Sequence, residues 1–446
     1  MDRSAPRTIL TGPLHATLIP VLLAGIMLCA STLAAAGETP HPPVAAGYQQ
    51  QIDELAADRR IRAAFDHIES TDDRTMEDLV TITEIPAPPF KEDARAEAYV
   101  EMLRDAGLDE VYRDDEGTVI GVRPGTVGER LVVISAHLDT VFPEGTDVTV
   151  RLIDGALHAP GVGDDSRGLA MLLAVVRAMD AADIQTEDDI WFVGTVGEEG
   201  LGDLRGVKHL FRDGARPIDA FLSVDGPGDE RIINQALGSQ RYRVTFKGPG
   251  GHSWGDFGMV NPAHALGFAV RMFTDRARDF VAEGPRTSYN VGRIGGGTSI
   301  NSVPVDVWME VDMRSIDAER LNGIGALFER TVTEAVDAYN AHHPDQAQIA
   351  VDIDQVGDRP SGEIDPDTPL IQRAMAAAAH FGWTPELSRA STDSNVPISL
   401  GVPAATIGRG GIGGGTHSLD EWWKNVDGHL AIQRTLLLLA AEAGLR

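Results

Sequence analysis

Residues 131–143 read LVVISAHLDTVFP, and the fold predicted from the sequence is built around this segment. Its first five residues include four apolar and three β-branched side chains, which is typical of a buried strand. Such a strand would place His137 and Asp139 at its C-terminal end, where open α/β sheets form their sites. The two side chains would share a face, because strand side chains alternate. The pair suits a metal-binding imidazole with an orienting carboxylate; a strand that merely ends in polar residues is the alternative.

The whole chain has a globular composition and is strongly acidic. It contains 446 residues, long for one domain and sufficient for two, with 43% hydrophobic and 24% charged residues. Its formal net charge is −29 at pH 7. This charge argues against nucleic acid or an anionic membrane surface as a partner.

The first 36 residues predict an export signal. Arg3 and Arg7 precede an apolar run over residues 16–33, and the alanines at positions 34–36 fit a signal-peptidase site. We therefore expect an exported protein, periplasmic or secreted, that has no membrane contact after cleavage. An uncleaved membrane anchor is the alternative, because the run is nearly long enough to span a bilayer.

Acidic residues follow two further apolar stretches that resemble buried strands. Glu198 and Glu199 follow one of them, and Asp225 follows the other. Asp164 and Asp165 lie in a glycine-rich loop before an apolar helix, where one of them could simply cap the helix. Carboxylates at several strand ends of one sheet predict a metal site; charged loops are the alternative.

The cysteine content limits the ligands of such a site. Cys29 is the only cysteine and lies inside the predicted signal, so the mature chain would have no thiolate ligand. The metal would then be held by histidine and carboxylate groups. Zinc is the first expectation, with cobalt or manganese as alternatives.

The order of predicted elements indicates an α/β fold with an insertion. Residues 37–237 contain helices and strands of an α/β layer fold, and residues 356–446 resume the same style. Residues 238–355 between them read β-α-β-β-α-β, the order of a ferredoxin-like module. We expect residues 1–36 to be the signal peptide and the other three segments to form two domains.

In chain order the motifs read HLD, GDDSRG, GEEG, VDG, GGHS, TSINSVP and GTHS. This series resembles the dinuclear zinc peptidase family that includes peptidase T, glutamate carboxypeptidase, aminoacylase and succinyl-diaminopimelate desuccinylase. The resemblance extends from about residue 75 to the C-terminus. It implies a catalytic domain with a mixed, largely parallel sheet between helices, and an inserted ferredoxin-like α+β lid. Because family lids often dimerise, it also implies a homodimer through the lid; a monomer is the alternative, since monomeric members exist.

The resemblance implies two zinc ions with a shared carboxylate. His137 and Asp225 would bind the first zinc, Glu199 and His417 the second, and Asp164 would bridge them. In the family, the peptide bond after the bridging acid is cis. Ser166-Arg167-Gly168 departs from the family pattern, in which lysine and then glycine are usual, and this leaves the choice of Asp164 over Asp165 open.

The resemblance also implies roles in catalysis and substrate binding. Glu198 would be the general base, with Asp139 orienting the imidazole ligand. His252 would stabilise the tetrahedral oxyanion, and a loop histidine without a role is the alternative. Asn301 and Arg314 would contact the substrate, the latter by binding a carboxylate; a structural ion pair is the alternative for Arg314.

Together these features predict an exported zinc hydrolase that cleaves amide bonds of short peptides. It would be a peptidase T-like exopeptidase in which Glu198 activates a metal-bridging water. A deacylase or amidase acting on N-acyl amino acids, or a carboxypeptidase, is the alternative on the same metal core. A non-catalytic binding protein is a further alternative, although no ligand of the family set is missing.

Overall fold

The computed structural model describes residues 43–446. The predicted signal peptide, residues 1–36, and the first residues that would follow its cleavage lie outside the described residues. Within residues 43–446, none of the helices combines the length and apolar character that a membrane-spanning helix requires.

An α/β domain is formed by the residues before and after the inserted module. Its first part contains, in chain order, α1 (Ala46–Ala57), α2 (Arg59–Ser70), α3 (Asp72–Thr83), α4 (Asp93–Asp105), β1 (Glu110–Arg113), β2 (Val119–Arg123), β3 (Leu131–His137), β4 (Arg151–Ile153), β5 (Ala156–His158), α5 (Ser166–Ala181), β6 (Asp189–Thr195), a 3-10 turn (Gly200–Gly202), α6 (Arg205–Leu210), β7 (Ala220–Val224) and β8 (Arg231–Ala236).

The inserted module, called the lid below, is followed by the second part of the α/β domain. The lid contains β9 (Gly238–Lys247), β10 (Gly251–His252), α7 (Pro262–Val281), β11 (Thr287–Gly296), β12 (Ser302–Val303), β13 (Asp306–Ser315), α8 (Ala318–Ala341) and β14 (Ala350–Arg359). The second part contains β15 (Gly362–Glu363), α9 (Pro369–His380), β16 (Glu386–Ala390), α10 (Asn395–Ser399), β17 (Ala404–Ile407), β18 (Ile412–Gly414), β19 (Trp422–Lys424) and α11 (Gly428–Ala443).

Nine strands form the main sheet of the α/β domain. Eight of them follow the order β1-β2-β6-β3-β7-β17-β8-β15, and β16 also pairs with β8. The central strands β6, β3, β7 and β17 are parallel, whereas β2 and β8 join them in antiparallel fashion. The prediction of an α/β fold with a mixed, largely parallel sheet is confirmed.

Strand β3 lies in the middle of this sheet, with every residue buried. Its continuous apolar sequence suits this place, because central parallel strands are covered on both faces. Helices α5 and α11 contact it, and α1, α2 and α9 pack with them. Because β3, β6 and β7 are parallel, their C-terminal ends meet at one edge of the sheet.

The lid has its own sheet and its own hydrophobic core. Its antiparallel strands follow the order β11-β13-β9-β14, as in a ferredoxin-like module, and α7 and α8 pack against this sheet. Phe246, Phe273 and Phe328 lie in the lid core. The lid extends beyond the predicted boundary at residue 355: after a register shift between Gln355 and Gly357, β14 continues along β9 to Arg359.

Candidate metal centre

The C-terminal edge of the main sheet brings together the acidic residues and the histidine of three strands. His137 is the last residue of β3, Asp225 directly follows β7, and Glu198 and Glu199 follow β6. Ligand atoms of His137, Asp164 and Glu199 all lie within 4.8 Å of one another. Residues far apart in the chain therefore form one compact cluster of nitrogen and oxygen donors.

The two carboxylate oxygens of Asp164 face two different histidines. Its Oδ1 lies 3.1 Å from Nε2 of His137, and its Oδ2 lies 3.2 Å from Nε2 of His417. The same nitrogen of His417 lies 3.0 Å from Oε1 of Glu199. Asp164 thus stands between two ligand sets, as a carboxylate that bridges two cations would.

The adjacent acids Asp164 and Asp165 have separate roles in the structure. Oδ1 of Asp165 accepts the amide of Gly168 at the start of α5, and its Oδ2 accepts the amide of His137. The peptide bond between the two acids is cis. Asp165 is therefore the helix cap, and Asp164 is the acid that faces the histidines.

A buried glutamate fixes the loop that carries Asp164. Oε1 of Glu421 accepts the amides of Gly163 and Asp164, and its Oε2 accepts the amide of Gly161. Glu421 is 1% exposed. These three bonds hold the loop against the ligand cluster, because a buried carboxylate with such partners has little freedom.

Asp139 acts on the cluster in a different way from the one predicted. Its carboxylate accepts the amides of Glu198 and Glu199, at 3.0 and 2.8 Å. Nδ1 of His137 lies 2.9 Å from the main-chain carbonyl oxygen of Asp139 and 3.8 Å from the carboxylate. The carboxylate therefore positions the two glutamates, and the carbonyl group orients the imidazole.

The electrostatics of the cluster favour a bound cation. Burial, followed by the charge of Asp164, raises the pKa of Asp225. Burial also raises the pKa of Glu198 well above its usual range, and Glu199 adds to this rise. Hydrogen bonds to Asp164 and Glu199 raise the pKa of His417 to about 10. Neighbouring carboxylates thus add to the raised pKa of Asp225 and of Glu198, and divalent cations would offset this repulsion.

The donor set fits a divalent metal. It consists of imidazole nitrogens and carboxylate oxygens, which are the ligands that zinc and related metals accept. His137 is 2% exposed and Glu199 is 6% exposed, so the cluster differs from the exposed acidic groups common on protein surfaces. Buried carboxylates without cations would be costly.

A cavity of about 330 Å³ adjoins this cluster. Four arginines line it together with the predicted ligands Asp164, Glu199, Asp225 and His417 and the predicted base Glu198; they are Arg231, Arg241, Arg314 and Arg359. Nε of Arg314 also lies 2.8 Å from Oδ2 of Asp312. Arg314 therefore takes part in an ion pair and also faces the cavity.

The structure does not bring His252 and Asn301 into this cavity. Neither is among its described lining residues. His252 is exposed on β10, which pairs with β12, and its Nδ1 accepts the amides of Trp254 and Gly255. Asn301 is exposed directly before β12. Their predicted roles would require this strand pair to reach the cluster by closure of the lid or from a second subunit.

Several charged residues of the site were not singled out from the sequence, among them Arg359, Arg409 and Glu421. Arg359 ends the last lid strand, and Arg409 lies in the glycine-rich loop before His417. Single charged residues at such places have no periodic or motif signal. The glycines around Arg409, which indicate a tightly placed loop, were the one available hint.

The fold and the ligand set define a metal-dependent hydrolase. A family model described as peptidase family M20/M25/M40 matches residues 133–442. The chain belongs to this family, whose members are metal-dependent peptidases and amidohydrolases. The predicted resemblance to the dinuclear zinc peptidases is confirmed at the level of the family.

Individual proteins are similar to the chain in sequence or in structure. The uncharacterized protein YqjE of Bacillus subtilis strain 168 is 24% identical over 355 residues, which cover 76% of this chain and 90% of that protein. Aminopeptidase PepT of Bacillus cereus has a similar structure, with a TM-score of 0.62, 21% identity and coverage of 83% of this chain and 97% of PepT. The dipeptidase Dug1p of Saccharomyces cerevisiae gives a TM-score of 0.67 at 16% identity, covering 86% and 98% of the two chains. At these identities the two structures show the shared fold.

Proposed function

We propose that the protein is an exopeptidase that hydrolyses amide bonds of short peptides. It would use two divalent metal ions, with zinc as the first expectation. The position of Asp164 between His137 and His417 supports two neighbouring metal ions most directly. His137 and Asp225 would hold one ion, Glu199 and His417 the other, and Asp164 both. Bound there, the metal ions would polarise a substrate carbonyl and lower the pKa of a water molecule.

Glu198 is the proposed general base. It is buried beside the ligands and lines the cavity, and Asp139 holds its main-chain amide. Its carboxylate would take a proton from the attacking water and then donate it to the leaving amine. A raised pKa suits both steps, because the group must bind the proton and release it within one turnover.

The cavity supports a short substrate with a free carboxylate. Its volume of about 330 Å³ lies at the lower end of the range for small-molecule sites. Arg314 faces it, and a guanidinium group binds a carboxylate with two parallel hydrogen bonds. Di- and tripeptides with a free C-terminus and N-acyl amino acids are both short and both carry a free carboxylate. A deacylase or carboxypeptidase is therefore the second candidate.

Export to the periplasm or medium and a homodimer through the lid are further parts of the proposal. Export is supported by the sequence of residues 1–36. A second subunit is supported by the exposure of His252, because the predicted contact with the oxyanion needs a histidine that reaches the ligand cluster.

The test is a comparison of substrates by the zinc-loaded protein. Di- and tripeptides with free or blocked ends are assayed beside N-acyl amino acids with matched side chains. We expect turnover of the peptides that depends on a free end. Turnover of the acyl compounds alone would contradict the peptidase proposal and favour the deacylase.

Glu198→Gln provides the catalytic control. This variant should bind zinc as the unaltered protein does and lose roughly a hundredfold or more in kcat. Less than one equivalent of zinc in the unaltered protein, with Glu198→Gln indistinguishable from it, would instead indicate a non-catalytic binding protein.

A further inference from the structure

A buried arginine lies directly against the metal-binding carboxylates. Nη1 of Arg409 is 3.3 Å from Oδ1 of Asp164 and 3.6 Å from Oδ1 of Asp225. The residue is 4% exposed. Its Nη1 makes no hydrogen bond within the part of the chain that the structure describes. The positive charge of Arg409 therefore lies beside two proposed ligands, and its Nη1 has no hydrogen-bond acceptor among the described residues.

Hydrogen bonds from several parts of the chain hold the main chain around Arg409. Its carbonyl oxygen accepts Nε of Arg167, and the carbonyl oxygens on either side accept Nη2 of Arg434 and Nε1 of Trp423. Its amide donates to the carbonyl oxygen of Gly226, the residue after Asp225. These bonds fix the main chain from which the guanidinium group of Arg409 extends to Asp164 and Asp225.

We propose that Arg409 is an internal counter-ion of the metal centre, which stabilises the metal-free protein and weakens metal binding. This inference rests on the metal-dependent function proposed above. In the metal-free protein, Arg409 offsets the repulsion among buried carboxylates. When metal ions occupy the ligands, the same carboxylates are already neutralised, and the guanidinium group lies close to added positive charge.

Linkage connects the two effects. A group that stabilises the metal-free state more than the loaded state must lower metal affinity by the same free energy. Removal of the charge should therefore reduce the stability of the metal-free protein and tighten metal binding. A residue that only supports the loop would weaken metal binding or leave it unchanged when removed.

The test compares Arg409→Met, Arg409→Lys and Arg434→Met. Arg434 is a matched control, because it is also fully buried in contact with this loop but donates only to carbonyl oxygens. Zinc affinity is measured by competition with a chelator, and thermal unfolding is recorded with and without zinc.

For Arg409→Met we expect zinc to bind roughly tenfold more tightly, and the melting temperature to fall more without zinc than with it. Arg409→Lys keeps the charge and should resemble the unaltered protein, while Arg434→Met should lower both melting temperatures alike.

Weaker or unchanged zinc binding by Arg409→Met, or an equal fall in both melting temperatures, would overturn the counter-ion role alone. Failure of the unaltered protein to bind any divalent metal would overturn this role together with the proposed hydrolase function. The two failures are therefore distinguishable.

Discussion

The guanidinium group of Arg359 lies beside the carboxylate of Glu198, with 3.2 Å between Nη1 and Oε1. Its Nη2 also donates to the main-chain carbonyl oxygen of Glu198. Both side chains are buried, and Arg359 comes from the end of the last lid strand. Burial raises the pKa of Glu198, and Arg359 counteracts this rise. The lid thus supplies a cation that adjusts the proposed base of the α/β domain.

Replacing Arg359 by methionine should therefore shift the pH dependence of activity. Without the cation the pKa of Glu198 rises further, and a base must be ionised to accept a proton. The acid limb of kcat/KM should move upward by roughly one pH unit. Arg359→Lys, which keeps the charge, should move it less. An acid limb at the same pH in all three proteins would contradict this role for Arg359.

Replacing Asp139 by asparagine should weaken both the fold and the metal centre. The two carboxylate oxygens of Asp139 accept hydrogen bonds from the amides of Glu198 and Glu199. Asparagine has only one such oxygen, and its NH2 group would face a main-chain amide that is also a donor. We expect a loss of about 1–3 kcal/mol in the free energy of unfolding. Zinc affinity should fall roughly ten- to hundredfold, as for other groups that orient metal ligands.

Urea unfolding of the metal-free protein and chelator competition measure these two quantities separately. The carbonyl contact to His137 remains in the variant, because it belongs to the main chain. Unchanged zinc affinity together with reduced stability would show that Asp139 supports the fold without positioning the ligands.

Much of this site could be predicted from the sequence because its ligands follow strands with a clear pattern. The apolar run before His137 identified a buried strand, and parallel neighbours brought Glu199 and Asp225 to the same edge. Proximity of strand ends is a consequence of parallel pairing, so it needs no knowledge of side-chain contacts.

The role of Asp139 and the place of Arg409 could not be predicted in the same way. A carboxylate two residues after a histidine can reach either its ring or a neighbouring loop, and this choice depends on how Glu198 and Glu199 turn after β6. Arg409 meets Asp164 only because Gly226 and Arg167 fix its loop. Such contacts depend on tertiary distances that no local pattern contains.

Replacing Arg314 by glutamine should impair the binding of substrates that carry a free carboxylate. Arg314 faces the cavity, and a hydrogen bond to a charged group contributes about 1.5–3 kcal/mol. KM should rise roughly ten- to hundredfold for such substrates and change little for their amidated counterparts. Arg241 also pairs with Asp312, so the loss of Arg314 does not leave that acid without a cation.

Arg243→Gln is the matched control for this measurement. Arg243 lies on β9, has the same 38% side-chain exposure as Arg314, and pairs with Glu310 away from the cavity lining. Its replacement should leave KM unchanged for both kinds of substrate. An equal rise in KM for free and amidated substrates in Arg314→Gln would indicate that Arg314 shapes the lid without binding the carboxylate.

Asp393 should make the stability of the protein depend on pH. It is 1% exposed, its Oδ2 accepts Oγ1 of Thr195 at 2.5 Å, and its Oδ1 makes no hydrogen bond within the described residues. Burial raises its pKa from 3.8 to about 7. Between these values the unfolded chain releases the proton while the folded protein retains it, so the free energy of unfolding decreases as pH rises.

Asp393→Asn removes this contribution, because asparagine resembles the protonated acid and has no proton to release. Relative to the unaltered protein, the variant should gain about 1.4 kcal/mol per pH unit between pH 5 and pH 6.5, and the difference should become constant above about pH 8. Urea unfolding of both metal-free proteins at pH 5, 6, 7 and 8 measures it. A difference that is independent of pH would mean that Asp393 is ionised in the folded protein, as it would be if the positive charge of His137 outweighed the effect of burial.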